Sequence, residues 1–209
     1  MPTIIEDFGA RVENIWNDLR ATTRTLVERA WRTPPGAAAA IPRSQAAPYD
    51  ARADAELSGL LAALDEQAGR VDESPHAERS QKARQMADTC AILLMEQTQS
   101  AEVFAKLIMR AHAHKDYARM DEIADALTKR LAPSEVCDLA RSNNPVVRAL
   151  AQEVLTQAPS STLAALSRDP IDAPEARLAL VRQAQEYGSE SAHRILRELE
   201  REEFGLEEF

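Results

Sequence analysis

The sequence predicts an all-α protein of stacked antiparallel helix pairs, either a short α-solenoid or an irregular helical bundle, with a separate N-terminal amphipathic helix. Three observations carry this expectation. Ala, Leu, Glu, Arg and Gln dominate the 209 residues, while aromatics reach only 4%, which is helix-forming composition. Apolar residues recur at steps of three and four, and no stretch alternates with the period of a strand. The breaks between periodic segments are short and rich in Pro, Asn, Asp and Ser, the residues that end and start helices.

The remaining composition bounds the function. With 44% apolar and 28% charged residues, the chain can both fill a core and solvate a surface. Its net charge of −9, from 34 acids and 25 bases, repels phosphates as a whole and argues against a nucleic-acid partner. Cys90 and Cys137 are far apart and sit inside apolar helical patterns, so two buried thiols are expected rather than a disulfide framework. The start MPTIIEDFG has no basic region followed by an apolar run, and the expected location is the cytoplasm.

The first element, within residues 1–32, carries a heptad stripe of Ile5, Phe8, Val12, Ile15, Leu19, Thr22 and Leu26, flanked by Trp16 and widened by Ile4, Val27 and Trp31. One helix cannot bury such a stripe alone. It is expected to dock on its own core, on a second copy, or on a different protein. Ile5, Phe8, Val12, Ile15, Trp16, Leu19, Leu26 and Trp31 are therefore the candidate partner-binding residues. Residues 33–50 follow, with Pro34, Pro35, Pro42 and Pro48 set among Ala and Ser; these predict an extended linker.

Residues 51–203 read as one helical domain. Leu57, Leu60, Leu61 and Leu64 mark its first helix, and Ala83, Met86, Cys90 and Leu94 its second. Val103, Phe104, Leu107 and Ile108 mark a third, joined at His114-Lys115-Asp116 to a fourth with Ile123 and Leu127. So short a connection predicts a tight antiparallel hairpin.

From Leu131 the pattern repeats. LAPSEVCDLARSNNPVVRALAQEVL can be laid on QAPSSTLAALSRDPIDAPEARLALV, with Ala132-Pro133-Ser134 on Ala158-Pro159-Ser160 and Val147-Arg148 on Ala176-Arg177. Each unit is a short helix after Ala-Pro-Ser, a polar turn containing Pro, and a second helix opening near an Arg. Asn144 before Pro145 is an N-cap followed by proline at the first helical position. These two units, within residues 131–185, resemble HEAT-like repeats, in a period close to the short leucine-rich-variant type. The resemblance implies helix pairs stacked into a superhelix that binds protein partners. Arg148 and Arg177 are expected to bond turn residues such as Asp169 between repeats, or to be solvated.

No arrangement points to chemistry. His112, His114, Asp116 and Asp121 lack the paired helical spacing of a metal site and read as a solvated helix end. The six glycines form no phosphate loop, and neither cysteine sits in a catalytic signature. No catalytic residue, cofactor or metal is expected. The tail, residues 204–209, follows a run of glutamates and carries Phe204, Leu206 and Phe209 in an acidic setting; it either caps the last helix pair or docks elsewhere. The reading is a non-catalytic scaffold or adaptor that binds a protein partner, or a second copy through residues 4–32. The alternative is a membrane-peripheral protein held by the N-terminal helix through Phe8, Trp16 and Trp31.

Overall fold

The computed structural model describes residues 8–32, 49–69 and 77–204. Ile5, the linker residues 33–48 and the tail residues 205–209 lie outside the described residues. All regular structure among the described residues is helical, as expected, and it divides into two compact units, Met1–Val103 and Phe104–Phe209. The N-terminal helices fall in the first of these units.

The first unit is built on α3 (Ala51–Gly69) and α4 (Ala77–Gln97), which pack along their length. They are antiparallel. The start of α3 meets the end of α4 where Thr98 Oγ1 donates to Asp54, and the opposite ends meet where Arg84 donates to the Ala68 carbonyl. Leu57, Leu60, Leu64, Met86, Cys90 and Leu94 are wholly buried along this pair, as their helical spacing predicts.

The N-terminal element is two helices, α1 (Ala10–Asp18) and α2 (Ala21–Arg32), which corrects the single helix expected over residues 4–32. Leu19 adopts extended backbone (φ −65°, ψ 145°) and closes α1. No proline or glycine forces this break. It is held from the tertiary side: Arg20 Nε donates to Glu56 (2.8 Å), Arg20 Nη2 pairs with Asp50 (2.8 Å), and Thr23 donates to Glu56. An extended residue leaves the 100° helical rotation, so the stripe slips by one position. Beyond the break Thr23 and Val27 are buried, whereas the expected Thr22 is exposed and Leu26 is only half-buried. The first helix lies on α3, and the second on α4 and α3.

The second unit starts within α5 (Ala101–Ala113) and continues through α6 (Tyr117–Arg130), α7 (Pro133–Ala140), α8 (Pro145–Thr156), α9 (Ser160–Leu166), α10 (Ala173–Gln185) and α11 (Glu190–Phe204). The expected pairs α7–α8 and α9–α10 each pack together, and α8 packs on α10. The chain turns from α5 into α6 through left-handed Lys115 (φ 57°), and α6 packs on α8. Tyr117, at the start of α6, stays exposed, and its buried positions come later, at Ile123 and Leu127.

Candidate functional site

Three second-layer helices share one plan. Ile123, Ala151 and Leu180 are buried at matching positions of α6, α8 and α10, and Leu127, Leu155 and Ala184 one turn later. Two of the three are capped by a side chain: Asp116 accepts from the Arg119 amide, and Asn144 from those of Val146 and Val147, whereas Asp172 before α10 makes no such bond. A third helix, α6, therefore precedes α8 and α10 in the same packing. Its Asp-Tyr start, where the later units have Pro, hid it.

Polar bonds fix the stacking at both ends. At the start of α10, Arg141 Nη1 donates to Asp172 (2.9 Å) and to the Ile171 carbonyl (3.2 Å), while Arg141 also pairs with Asp138. Burial lowers the Arg141 pKa, but the bonds to Asp172 and Asp138 outweigh it and raise the net value. At the far end the buried Gln183 donates from Nε2 to the carbonyls of Thr156 (2.9 Å) and Ala158 (2.7 Å), and its Oε1 accepts from Ser160. Arg182 meets Glu153 at 2.8 Å beside it. Starts face starts and ends face ends, so α8 and α10 run parallel, as second helices of stacked pairs must.

The arginine expected to join the repeats is a different one. Arg148 donates to the Ser142 carbonyl of its own turn at 2.8 Å, and Asp169 accepts from the amides of Ile171 and Asp172 within its own turn. Arg177 is half-buried near Ser167, Asp169 and Leu199. The contact between the two helix pairs comes from Arg141, just past the end of α7. The signal in the sequence was an Arg at the helix end facing an Asp before Ala-Pro in the next unit.

The N-terminal stripe is placed as follows. Phe8, Val12, Trp16 and Leu19 are buried by the chain's own first unit, and Ile15, Leu26 and Trp31 are half-buried. Ile5 lies outside the described residues. Of the three surfaces open to this stripe, the chain's own core covers its centre. Surface remains elsewhere, on the outer side of α8 and α10. Ile171 is 68% and Leu178 42% exposed, and Pro145, Ala149 and Pro174 are exposed at matching positions.

The thiols and histidines complete the inventory of reactive groups. Burial pushes the Cys137 thiol up to about 12, with the Asp172 carboxylate adding to the shift, which makes a poor nucleophile. His112, His114 and His193 are exposed, and Asp116 is engaged as the α6 cap. No helix is long and apolar enough among the described residues to cross a membrane. What the fold and its surface define is an all-α protein of packed neighbouring helix pairs. No family model, curated protein or solved structure matches this chain.

Proposed function

We propose that the protein is a non-catalytic adaptor whose HEAT-like helix stack binds a protein partner on the outer face of α8 and α10. The observation that carries this reading is the pair Ile171 and Leu178. Ile171, in the turn before α10, and Leu178, on α10, stand in solvent, while Ala176, Ala179, Leu180 and Ala184 of the same helix are buried in the core. Contiguous exposed apolar residues rimmed by charge mark interaction sites. Here Pro145, Ala149 and Pro174 extend the strip over two helices, and Arg148 and Glu175 flank it.

The N-terminal helices serve this reading as structure, because their stripe is occupied by the first unit. The membrane-surface alternative draws less support for the same reason: Phe8 and Trp16 would have to leave the core to reach lipid. Cys90 and Cys137 are buried as thiols, which supports a reducing, cytoplasmic setting.

The test uses the full chain as bait against an extract of its native source, beside Ile171→Glu with Leu178→Glu. The expected result is a discrete protein retained by the wild type and reduced at least about tenfold by the pair, since apolar anchors at an interface centre carry over 1 kcal/mol each. Equal retention by both baits would sink the proposal. Both substitutions are at exposed positions, so far-ultraviolet circular dichroism should be unchanged.

A further inference from the structure

Residues 10–32 hold neither Pro nor Gly, yet the chain breaks there into α1 and α2. Leu19, at the break, has ordinary extended backbone (φ −65°, ψ 145°), so the break stores no strain and can open by rotation about the backbone. Opening gains bonds. The amides of residues 20–23 then meet the carbonyls of residues 16–19 in the i to i−4 pattern that two separate helix ends forgo. Opening also keeps the apolar face. Val12, Trp16, Leu19, Thr23 and Val27 are the buried residues of this stretch, and on an uninterrupted helix they fall within about 80° of one another. Within one copy the bend persists because both arms are docked. The first arm lies on α3 through Val12, Trp16 and the Arg11–Glu66 pair, while the second lies on α4, with Arg20 and Thr23 bonded to Glu56.

We propose that two copies of this chain exchange α1. Leu19 opens into helix, α2 stays on its own α4, and α1 takes the place on the α3 of a second copy. The exchange is reciprocal and gives a closed dimer. The occupant follows from identity: the surface of α3 that buries Val12 and Trp16 is present on every copy, so the exchange re-forms each α1–α3 contact. The bonds of Arg20 and Thr23 to Glu56 travel with neither partner, because α2 does not move. What the dimer adds is the run of helical bonds across the former break, which is how an exchanged element comes to favour the dimer at high concentration. The exchange involves the first unit alone, so it stands or falls apart from the adaptor reading of α8 and α10.

The test refolds the full chain from urea at low and at high protein concentration and separates the products by size. A dimer should form at high concentration and, once isolated, revert slowly on dilution, because α1 must leave a core to return. Carbodiimide coupling then reads which chain each α1 covers. Arg11→Lys sets an amine against the Glu66 carboxylate; the amide should close within one chain in the monomer and between chains in the dimer, as denaturing electrophoresis and peptide mapping show. Ala21→Pro separates the bent from the straight form. Ala21 is exposed and is the first residue of α2, where proline fits, whereas inside an uninterrupted helix it lacks the donor and clashes with the preceding turn. That variant should keep wild-type helicity and lower the dimer fraction at least about tenfold. A wild type that refolds only to monomer at both concentrations overturns the proposal. So does a dimer in which the Glu66 amide stays within one chain, or a dimer that Ala21→Pro leaves at full yield.

Discussion

Glu56 gathers the contacts that hold the N-terminal helices: Arg20 at 2.8 Å, Thr23, and Arg52 at 3.4 Å. Burial pushes its carboxyl up, but the bonds from Thr23 and Arg20 outweigh that and leave it below its usual value of 4.5. Asp50 is lowered in the same direction, chiefly by its bond from Arg20. A carboxyl held low in the folded state binds a proton more readily when unfolded. Its contribution is complete above the unfolded value and is lost as pH falls through the folded one. The thermal midpoint of the first unit should therefore drop as pH is taken below about 4.5. Glu56→Gln should lower the midpoint at neutral pH and flatten the acid fall; an equally steep fall in that variant would separate Glu56 from the effect. In the second unit, Asp172→Ala removes the acceptor of Arg141 and should cost about 1.5–3 kcal/mol in urea unfolding, the range for hydrogen bonds to charged groups. A loss under half a kcal/mol would mean that solvent replaces the bond at no cost.

Each element is decided by what its neighbours offer. Breaking the N-terminal stripe at Leu19 lets one stretch of chain fill two places, α1 against α3 and α2 against α4. Trp16 is the largest side chain buried by α1, at 4% exposed. Trp16→Ala should cost about 3–5 kcal/mol, as large-to-small core substitutions of aromatics do. A change below 1 kcal/mol by chemical denaturation would mean that α1 is only loosely seated. In the stack, Gln183 satisfies the carbonyls of Thr156 and Ala158 where the α8–α9 connection turns away from its own helix. Gln183→Ala strands both acceptors, for about 1–3 kcal/mol, and faster amide exchange should be confined to the α8–α9 turn and the end of α10. Exchange unchanged there would contradict the stapling role.

At the scale of the whole molecule, each unit carries one wholly buried thiol, Cys90 in the first and Cys137 in the second. Alkylation of the native protein should therefore be slow at both and proceed only through opening of the surrounding unit. Peptide mapping of the labelled cysteines gives two opening rates from one sample. Trp16→Ala should speed labelling at Cys90, and Asp172→Ala at Cys137. Rapid labelling of either thiol in the native wild type would contradict its burial.

The sequence by itself determined the helical class, the packed helix pairs after Leu131 and most of the core, because these depend on local spacing. Leu57, Leu60, Leu64, Met86, Cys90, Val147 and Leu155 are buried as their periodicity required. Asn144 caps α8 as the Asn-Pro pair announced. What periodicity left open was which surface covers an apolar stripe and where a helix stops without a proline or glycine. Only the tertiary structure decided those. The break at Leu19 is fixed by Arg20 and Thr23 reaching Glu56, more than thirty positions away, and the same break moved the buried face from Thr22 and Leu26 to Thr23 and Val27. The role foreseen for Arg148 fell to Arg141 because a guanidinium at a helix end can span to the next turn, whereas Arg148 meets a carbonyl of its own. Local chemistry writes the helices; long-range partners choose which of their faces remain in water.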